Sequence, residues 1–370
     1  MKFTDKNRAR STNASTVACL RDTAFARLNY VALVAGVLLF SAQLCAVNVG
    51  LLDSTADSDF PKFNGAVNTM IEGDKVLYVG GSFSRQLRAG AGNLIYADSA
   101  NGDVSFNNLP KLAGTVYALI SDGSDGWIVG GTNLTVGGVA LPNLLHINNS
   151  GNISDWTAFA PNSSVSALAL DSMQGIVYVG GQFDKMGTEA RAGLAAINIS
   201  NGTLSNWTAT LTGVTLANVT ALTLDNVNNR LFVVAKPTGV LDGPNLYAFN
   251  ATTGVAIAAW APAIGTYSGP NKGSHAISAI CLSGNGTLFV GGIFNRVGGA
   301  TGWKCSNVVA LEGTGAATAT VRTSMNLGVS GSVVRALAYD ATSGRLFVGG
   351  ILTGIGSVDQ DLWQDVRHRG

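Results

Sequence analysis

Three histidines, His146, His275 and His368, are the chain's only imidazoles, and they fall far apart. A histidine set beside a serine and a carboxylate does nucleophilic catalysis, and a His-x-x-x-His pair holds a metal. Neither ordering is visible along the chain. His146 stands where comparable segments carry Ala196, Ala248 or Ala310, so it reads as a surface histidine. Asp171, Asp225 and Asp340 each follow a similar apolar run. Repeated carboxylates suit a metal, but a hairpin turn also wants Asp for its bonds to nearby backbone N–H groups, and recurrence favours the turn. "SDGSDG" (Ser121 to Gly126) lacks the alternating acidic ligands and the closing Glu of a calcium loop. No catalytic, cofactor-binding or metal-ligating residue is assigned, and no cofactor is expected.

One stretch, "LFVGGIFNRVGG" (Leu288 to Gly299), has the look of a strand running into a glycine-rich phosphate loop. Such a loop must open a helix whose amides meet the phosphate, and "GGATGWKCSN" has no helical periodicity. The glycine pair also recurs after short apolar runs as Gly80 and Gly81, Gly130 and Gly131, Gly180 and Gly181, Gly291 and Gly292, and Gly349 and Gly350. "RLFVVA" (Arg230 to Ala235) is a further copy without the pair. A second marker keeps step, starting at Val67, Val116, Val165, Val219, Ile277 and Val334, at spacings of roughly 49 to 58 residues that suit propeller blades rather than leucine-rich solenoids. The glycines are therefore read as architecture, ending a second strand where the chain passes close to other backbone.

The elements that would carry these residues show best from Val165 to Thr208. "VSALAL" alternates, "DSMQG" turns, "IVYVGGQF" is an apolar run, "AGLAAIN" is a third strand, and "TLSNWTA" a fourth after the turn "ISNG". The fold predicted is all-β: a single six-bladed β-propeller of four-stranded antiparallel blades occupying residues 55–370, since one such sheet exposes both faces until neighbours stack on it. Trp156, Trp207 and Trp260 take matching places in the fourth strands, with Phe106 in the first copy. They are read as wedges between blades, the alternative being an aromatic platform for sugars. Trp127, beside a glycine pair, is read as core. Arg85, Arg88, Lys185, Arg191 and Arg296 lie in the longer loops after the second strands, which makes those loops the candidate contact surface.

"VYVGGQFDKMGTEARAGLAAINISNGTLSNW" resembles the bacterial β-propeller repeat of the delta-60 type, and the likeness runs from about Phe63 to Gly350. The resemblance implies an exported or surface protein and assigns no catalytic residue. The fourth copy departs from it in lacking the glycine pair, and the fifth carries Lys304 near the place of Arg191. The strand order is also similar to that of kelch propellers, and "FNATTGVAIAAW" to the tryptophan-docking segments of quinoprotein propellers.

Residues 1–54 read as an address. Lys2, Lys6, Arg8, Arg10, Arg21 and Arg27 precede an apolar run at 30–47, the order of a secretory signal or a signal anchor. At about 1.5 Å per residue the run spans roughly 27 Å, which does not separate cleavage from anchoring. Only 12% of residues are charged and the net charge is +1, so no footprint for nucleic acid or an anionic membrane exists, and membrane contact is expected only through the leader. Sequons at Asn133, Asn148, Asn152, Asn162, Asn198, Asn201, Asn206, Asn218, Asn250 and Asn285 fit exposed turns. Cys281 and Cys305, the two cysteines beyond the leader, are expected to stay unpaired: one ends a first strand and the other begins a third, about 9.5 Å apart sideways, against the ~7 Å a bridge permits.

The function these features suggest is a non-enzymatic, exported or surface-anchored scaffold that contacts a protein or glycan. The alternative is an enzyme using the central channel, either a quinoprotein-like oxidoreductase or a carbohydrate-active enzyme. The last copy has only its first two strands intact, and Ala56 to Lys62 resembles a fourth strand, so an N-terminal strand is expected to close the ring.

Overall fold

The computed structural model describes residues 65–355 apart from 74–75, 84–92, 99–103, 106–109, 210–215, 238–244, 267–275 and 326. Its regular elements are β-strands with a single turn of 3-10 helix, Thr157–Phe159. Among the described residues no helix is long and apolar enough to cross a membrane. The leader, its apolar run and the expected closing strand at 56–62 lie outside the described residues, as do His275, His368 and Phe106.

The strands form six main antiparallel sheets in chain order, each opened by one copy of the sequence marker. First strands are Ala66–Gly73, Leu112–Ser121, Val165–Asp171, Leu216–Asp225, Ala276–Leu282 and Val329–Asp340. Each pairs with its second strand: Val76–Ser82, Trp127–Val136, Ile176–Gly181, Arg230–Pro237, Leu288–Ile293 and Arg345–Ile355. Third strands follow in the first five sheets: Leu94–Asp98, Leu144–Ile147, Leu194–Asn198, Asn245–Asn250 and Val308–Glu312.

Fourth strands differ from the expectation. Sheets 1 and 5 have short ones, Val104–Ser105 and Thr320–Val321. In sheets 2, 3 and 4 the equivalent segment makes a single bridge, Ile147 to Ile153, Ile197 to Leu204 and Phe249 to Ala256. The physical reason lies a few residues on. There the chain leaves the ladder so that Trp156, Trp207 and Trp260 can turn into the gap toward the next sheet, where they are 5%, 6% and 0% exposed. The Trp207 Nε1–H donates to Asn250 O at 3.4 Å and that of Trp260 to Gly313 O at 3.0 Å, each in the following sheet. They are wedges, and Trp127 is core at 5% exposure.

The glycine pairs show why neighbouring sheets pack as closely as they do. A Cβ on the first glycine of a pair would stand 2.5 Å from the Cγ1 of Val116 at Gly80, of Val165 at Gly130 and of Val219 at Gly180, and 2.6 Å from that of Val334 at Gly291. Each valine lies on the first strand of the next sheet, so the missing side chain is the slot that the neighbour fills. The second glycine faces its own sheet. Opposite it every first strand carries a register shift, as between Val116 and Ala118 or Val219 and Ala221, and the bulged strand turns a carbonyl toward the glycine, such as Thr115 O at Gly131 and Ser164 O at Gly181. Sheet 4 lacks the pair, and Val234 and Ala235 occupy these places fully buried, Val234 against Ile277 and Ile280. Gly349 is the other departure: the nearest atom to a Cβ there is Cβ of Ala336 in its own sheet, 3.6 Å away, and neighbouring Ile351 is 51% exposed.

Cys281 and Cys305 are both free and buried. They sit in different packing layers, Cys281 with Leu327, Val329 and Leu337 of sheet 6, and Cys305 with Trp260 and Phe294. Cys305 lies just ahead of the third strand, which begins at Val308, rather than on it. Burial pushes both thiols up to about 12.

Candidate functional site

Sheet 2 holds the one assembly of side chains that resembles reactive chemistry among the described residues. Asp122 sits in the turn between the first and second strands, where its Oδ1 accepts N–H bonds from Ser124 at 2.7 Å and Gly126 at 2.8 Å. Its Oδ2 faces His146 Nε2 at 2.8 Å, and His146 Nδ1 faces Ser154 Oγ at 2.9 Å. An ionised carboxylate can only accept, so Nε2 carries a hydrogen and donates, leaving Nδ1 of a neutral ring to accept from the serine hydroxyl. Burial raises the Asp122 carboxyl, but the bonds from His146, Ser124 and Gly126 outweigh it and hold the group below its ordinary value. The imidazole lies stacked on Trp156, with centroids 4.9 Å apart.

A Ser–His–Asp relay thus exists in space although its members are ordered Asp122, His146, Ser154 along the chain, an ordering that sequence inspection passed over. His146 is also no surface residue, since its side chain is 15% exposed. For acyl transfer the serine would need free N–H groups beside it to receive the oxyanion. Three of those nearby are already engaged: Ser154 N–H donates to His146 O, Trp156 N–H to Ser154 O and Thr157 N–H to Asp155 Oδ1. Its structural effect is cohesion. It ties the first-to-second turn, the third strand and the bridging segment of sheet 2 into one unit.

Asp171, Asp225 and Asp340 take the corresponding turns. Asp171 Oδ1 accepts from Met173 and Gln174 N–H, Asp225 Oδ1 from Asn228 N–H, and Asp340 Oδ1 from Thr342 N–H. No group of three or more His, Cys, Asp or Glu side chains suited to a metal occurs among the described residues.

The second candidate is a set of hairpins on the connections from second to third strands. Thr135–Val136 pairs with Val139–Ala140 in sheet 2, Lys185–Met186 with Glu189–Ala190 in sheet 3, and Arg296–Val297 with Trp303–Lys304 in sheet 5. Each is anchored at its base by the residues that lead into or open its own sheet: Leu112 pairs with Val136, Pro161 bridges Met186, and Ile264 pairs with Val297. Met186 and Val297 are buried and Val136 is half-buried, whereas their hairpin partners are exposed: Glu189, Trp303 at 39% and Val139 at 67%. Gly137 and Gly187 make the turns with φ of +59° and +60°.

The basic residues chosen from sequence fall unevenly on this surface. Lys185 is exposed on its hairpin. Arg191 and Arg296 are half-buried and brace the loops, Arg191 Nη1 donating to Ala190 O at 2.8 Å and Arg296 Nη1 to Gly302 O at 3.1 Å. Arg85 and Arg88 lie outside the described residues. Sequence reading missed Asn68 and Asn307, whose side-chain amides donate to Val116 O at 2.7 Å and Val329 O at 3.2 Å in the following sheet. Nothing in their local sequence marks them, because the partner carbonyl lies on another repeat.

No protein-family model and no curated protein matches the chain. Among solved structures, it is similar to a GH74 xyloglucanase from Xanthomonas campestris at 13% identity and a TM-score of 0.47, covering 76% of this chain and 42% of that one. It is similar to the β-propeller domain of Swd1 from Myceliophteria thermophila at 12% identity and a TM-score of 0.42, covering 64% and 63%. A nidogen/laminin complex gives 12% identity and a TM-score of 0.38, covering 67% and 76%. The chain thus spans less than half the length of the xyloglucanase.

Proposed function

We propose that this chain is an exported or surface-anchored β-propeller that uses the hairpin tips on one end of its sheets to contact a protein or glycan, and that it is not an enzyme. The observation that carries the reading is the hairpin set: three are built alike, and at the same hairpin position two of them expose an apolar side chain, Val139 and Trp303. Large apolar groups held outward on braced loops are what a contact surface needs. The Ser154–His146–Asp122 relay supports the non-enzymatic part, since the N–H groups of Ser154, Trp156 and Thr157 beside the serine are already engaged in hydrogen bonds. The proposed ring has six blades, with the segment at 56–62 completing the last one and covering its outer edge.

The full chain, screened on glycan arrays and by pull-down from surface extracts, is the test of function. A hit whose affinity falls at least tenfold in the Val139→Asp, Trp303→Ala double variant supports the hairpin surface. Undiminished binding by that variant, or substrate turnover, or a quinone band in the absorption spectrum, overturns it. For the ring, deletion of residues 48–62 behind a substitute signal is expected to cause cooperative loss of stability and aggregation through the uncovered edge, and unchanged stability rules the closure out.

A further inference from the structure

The turn after the third strand of sheet 3, Asn198 to Thr203, contains two consecutive glycosylation sequons, at Asn198 and Asn201. The two asparagines are held in opposite ways. Asn198 is half-buried, and its Nδ2 donates to Thr203 O at 3.3 Å and Thr203 Oγ1 at 3.0 Å, so the nitrogen that would carry a sugar is fixed inside the turn. Asn201 is exposed, and its Oδ1 accepts both the Thr203 N–H at 3.0 Å and the Thr203 O–H at 2.8 Å. The sequon's own hydroxyl therefore draws on the amide oxygen of its own asparagine, which fixes the side chain and leaves Nδ2 directed away from the turn. We infer that Asn201 is an acceptor for an N-linked glycan, and that Asn198 is not.

Other sequons lack this combination. Asn162 is exposed, but its Nδ2 is bound to Asp184 Oδ1 at 2.6 Å while its Oδ1 accepts from Asp184 and Lys185 N–H. Asn152 depends on Ser154, whose hydroxyl is engaged by His146. At Asn250 the sequon hydroxyl of Thr252 turns instead to Asn229 Oδ1 at 3.1 Å. Asn285 is paired with Thr287, which is only 2% exposed. Asn148 is half-buried, with Oδ1 taken by the N–H groups of Ser150 and Asn152.

The co-reactant is an oligosaccharide carried on a lipid pyrophosphate in the lumen of a secretory compartment. The amide Nδ2 attacks the anomeric carbon, a C–N bond forms as the carbon–oxygen bond to pyrophosphate breaks, the lipid pyrophosphate departs, and one amide proton is lost to base. The folded turn matters afterwards. A glycan on exposed Asn201 leaves the Thr203 bonds intact, whereas one on Asn198 forces its nitrogen out of the turn. Gly202, between Asn201 and Thr203, lies with φ of +68° directly against the Trp156 ring, so the turn has little freedom to rearrange.

The inference rests on the export reading, and the experiment separates the two. The full chain is expressed in glycosylating secretory cells twice, once with its own leader and once behind a substitute signal. Enzymatic glycan release in heavy-oxygen water, followed by peptide mapping, marks each occupied asparagine. The substitute-signal protein is expected to carry label at Asn201 and none at Asn198, and Asn201→Gln to lose one glycan-sized step on a gel while Asn198→Gln loses none. Lumenal protein bare at Asn201, or labelled at Asn198 instead, overturns the inference. Failure of the own-leader protein alone to enter the lumen counts against export and leaves the Asn201 assignment standing on the second protein.

Discussion

Sheets 2 and 3 solve one packing problem with different residues. In sheet 3 the tryptophan of the bridging segment, Trp207, is met by Tyr178 of the second strand with centroids 5.2 Å apart, and the residue beside Tyr178 on the third strand is Ala196. Sheet 4 does the same with Phe232 on Trp260 at 4.6 Å, and Ala248 beside it. In sheet 2 the second-strand place holds Ile128, and the ring comes from across the ladder as His146, its register partner. Register partners point to the same face of a sheet, so the aromatic has moved by one strand while still meeting the tryptophan. What the fold demands is a ring under the wedge, not a ring at one place in the repeat. By taking it from a histidine, sheet 2 also gains the bonds to Asp122 and Ser154 that sheet 3 cannot form with Ala196.

The largest effect should come from closing the slots that let the sheets approach. Gly180→Val sets a side chain into the place of Val219 and is expected to cost about 3 kcal/mol or more, measured by chemical denaturation, because two buried branched groups cannot share that volume. Sheet 4 carries Val234 at the equivalent position natively, so Val234→Gly should be destabilising instead, by about 2 kcal/mol from the cavity it leaves. If both substitutions proved neutral, the slot would not set the spacing of the sheets.

The ring exchange itself is open to a double-mutant cycle. His146→Ala removes the stack and strands Asp122 and Ser154, for a loss of about 2–3 kcal/mol. Ile128→Tyr alone adds a ring where His146 already lies and should be unfavourable by about 1–2 kcal/mol. Combined, they restore the sheet 3 pattern, and the pair should be better than the sum by at least about 1 kcal/mol. Simple additivity would mean that the two positions do not compete for one site.

A smaller effect distinguishes the sheets by pH. Asp122 has a carboxyl held below its ordinary value in the folded protein, so its contribution is complete above the unfolded value near 3.8 and is lost as pH falls below that. Asp122→Asn should cost about 1 kcal/mol near neutrality and flatten the fall in stability below about pH 4. An unchanged acid limb would show that the relay does not hold sheet 2. The smallest effect is expected at Cys281 and Cys305: native protein at pH 8 should resist alkylation at both, with two thiols appearing only on unfolding, since burial holds each near 12.

Much of the fold was legible along the chain because its causes are local and repeated. The glycine pairs mark where a second strand must accept a neighbour, and the VSALAL-type markers alternate at the period of a half-buried strand. The recurring tryptophans, in step with both, favour wedges between sheets over a platform for sugars. Fourth strands were over-read, since a segment with strand-like composition leaves the ladder when its tryptophan has a better partner in the next sheet. The relay of sheet 2 was not legible. Asp122 and His146 are 24 residues apart, and their pairing follows from the register Ile128 to His146 together with the turn that returns the chain from Ser121 to Trp127.

What the sequence alone determined is the all-β character, the repeat and its punctuation, because backbone freedom at glycine and the alternation of apolar residues act within a few positions. Tertiary structure alone decided which side chains share a face across strands and sheets. That is why His146 stacks under Trp156, Asn307 reaches Val329 and Val116 fills the space left by Gly80: each depends on two segments meeting in register, and register is set by the sheet as a whole.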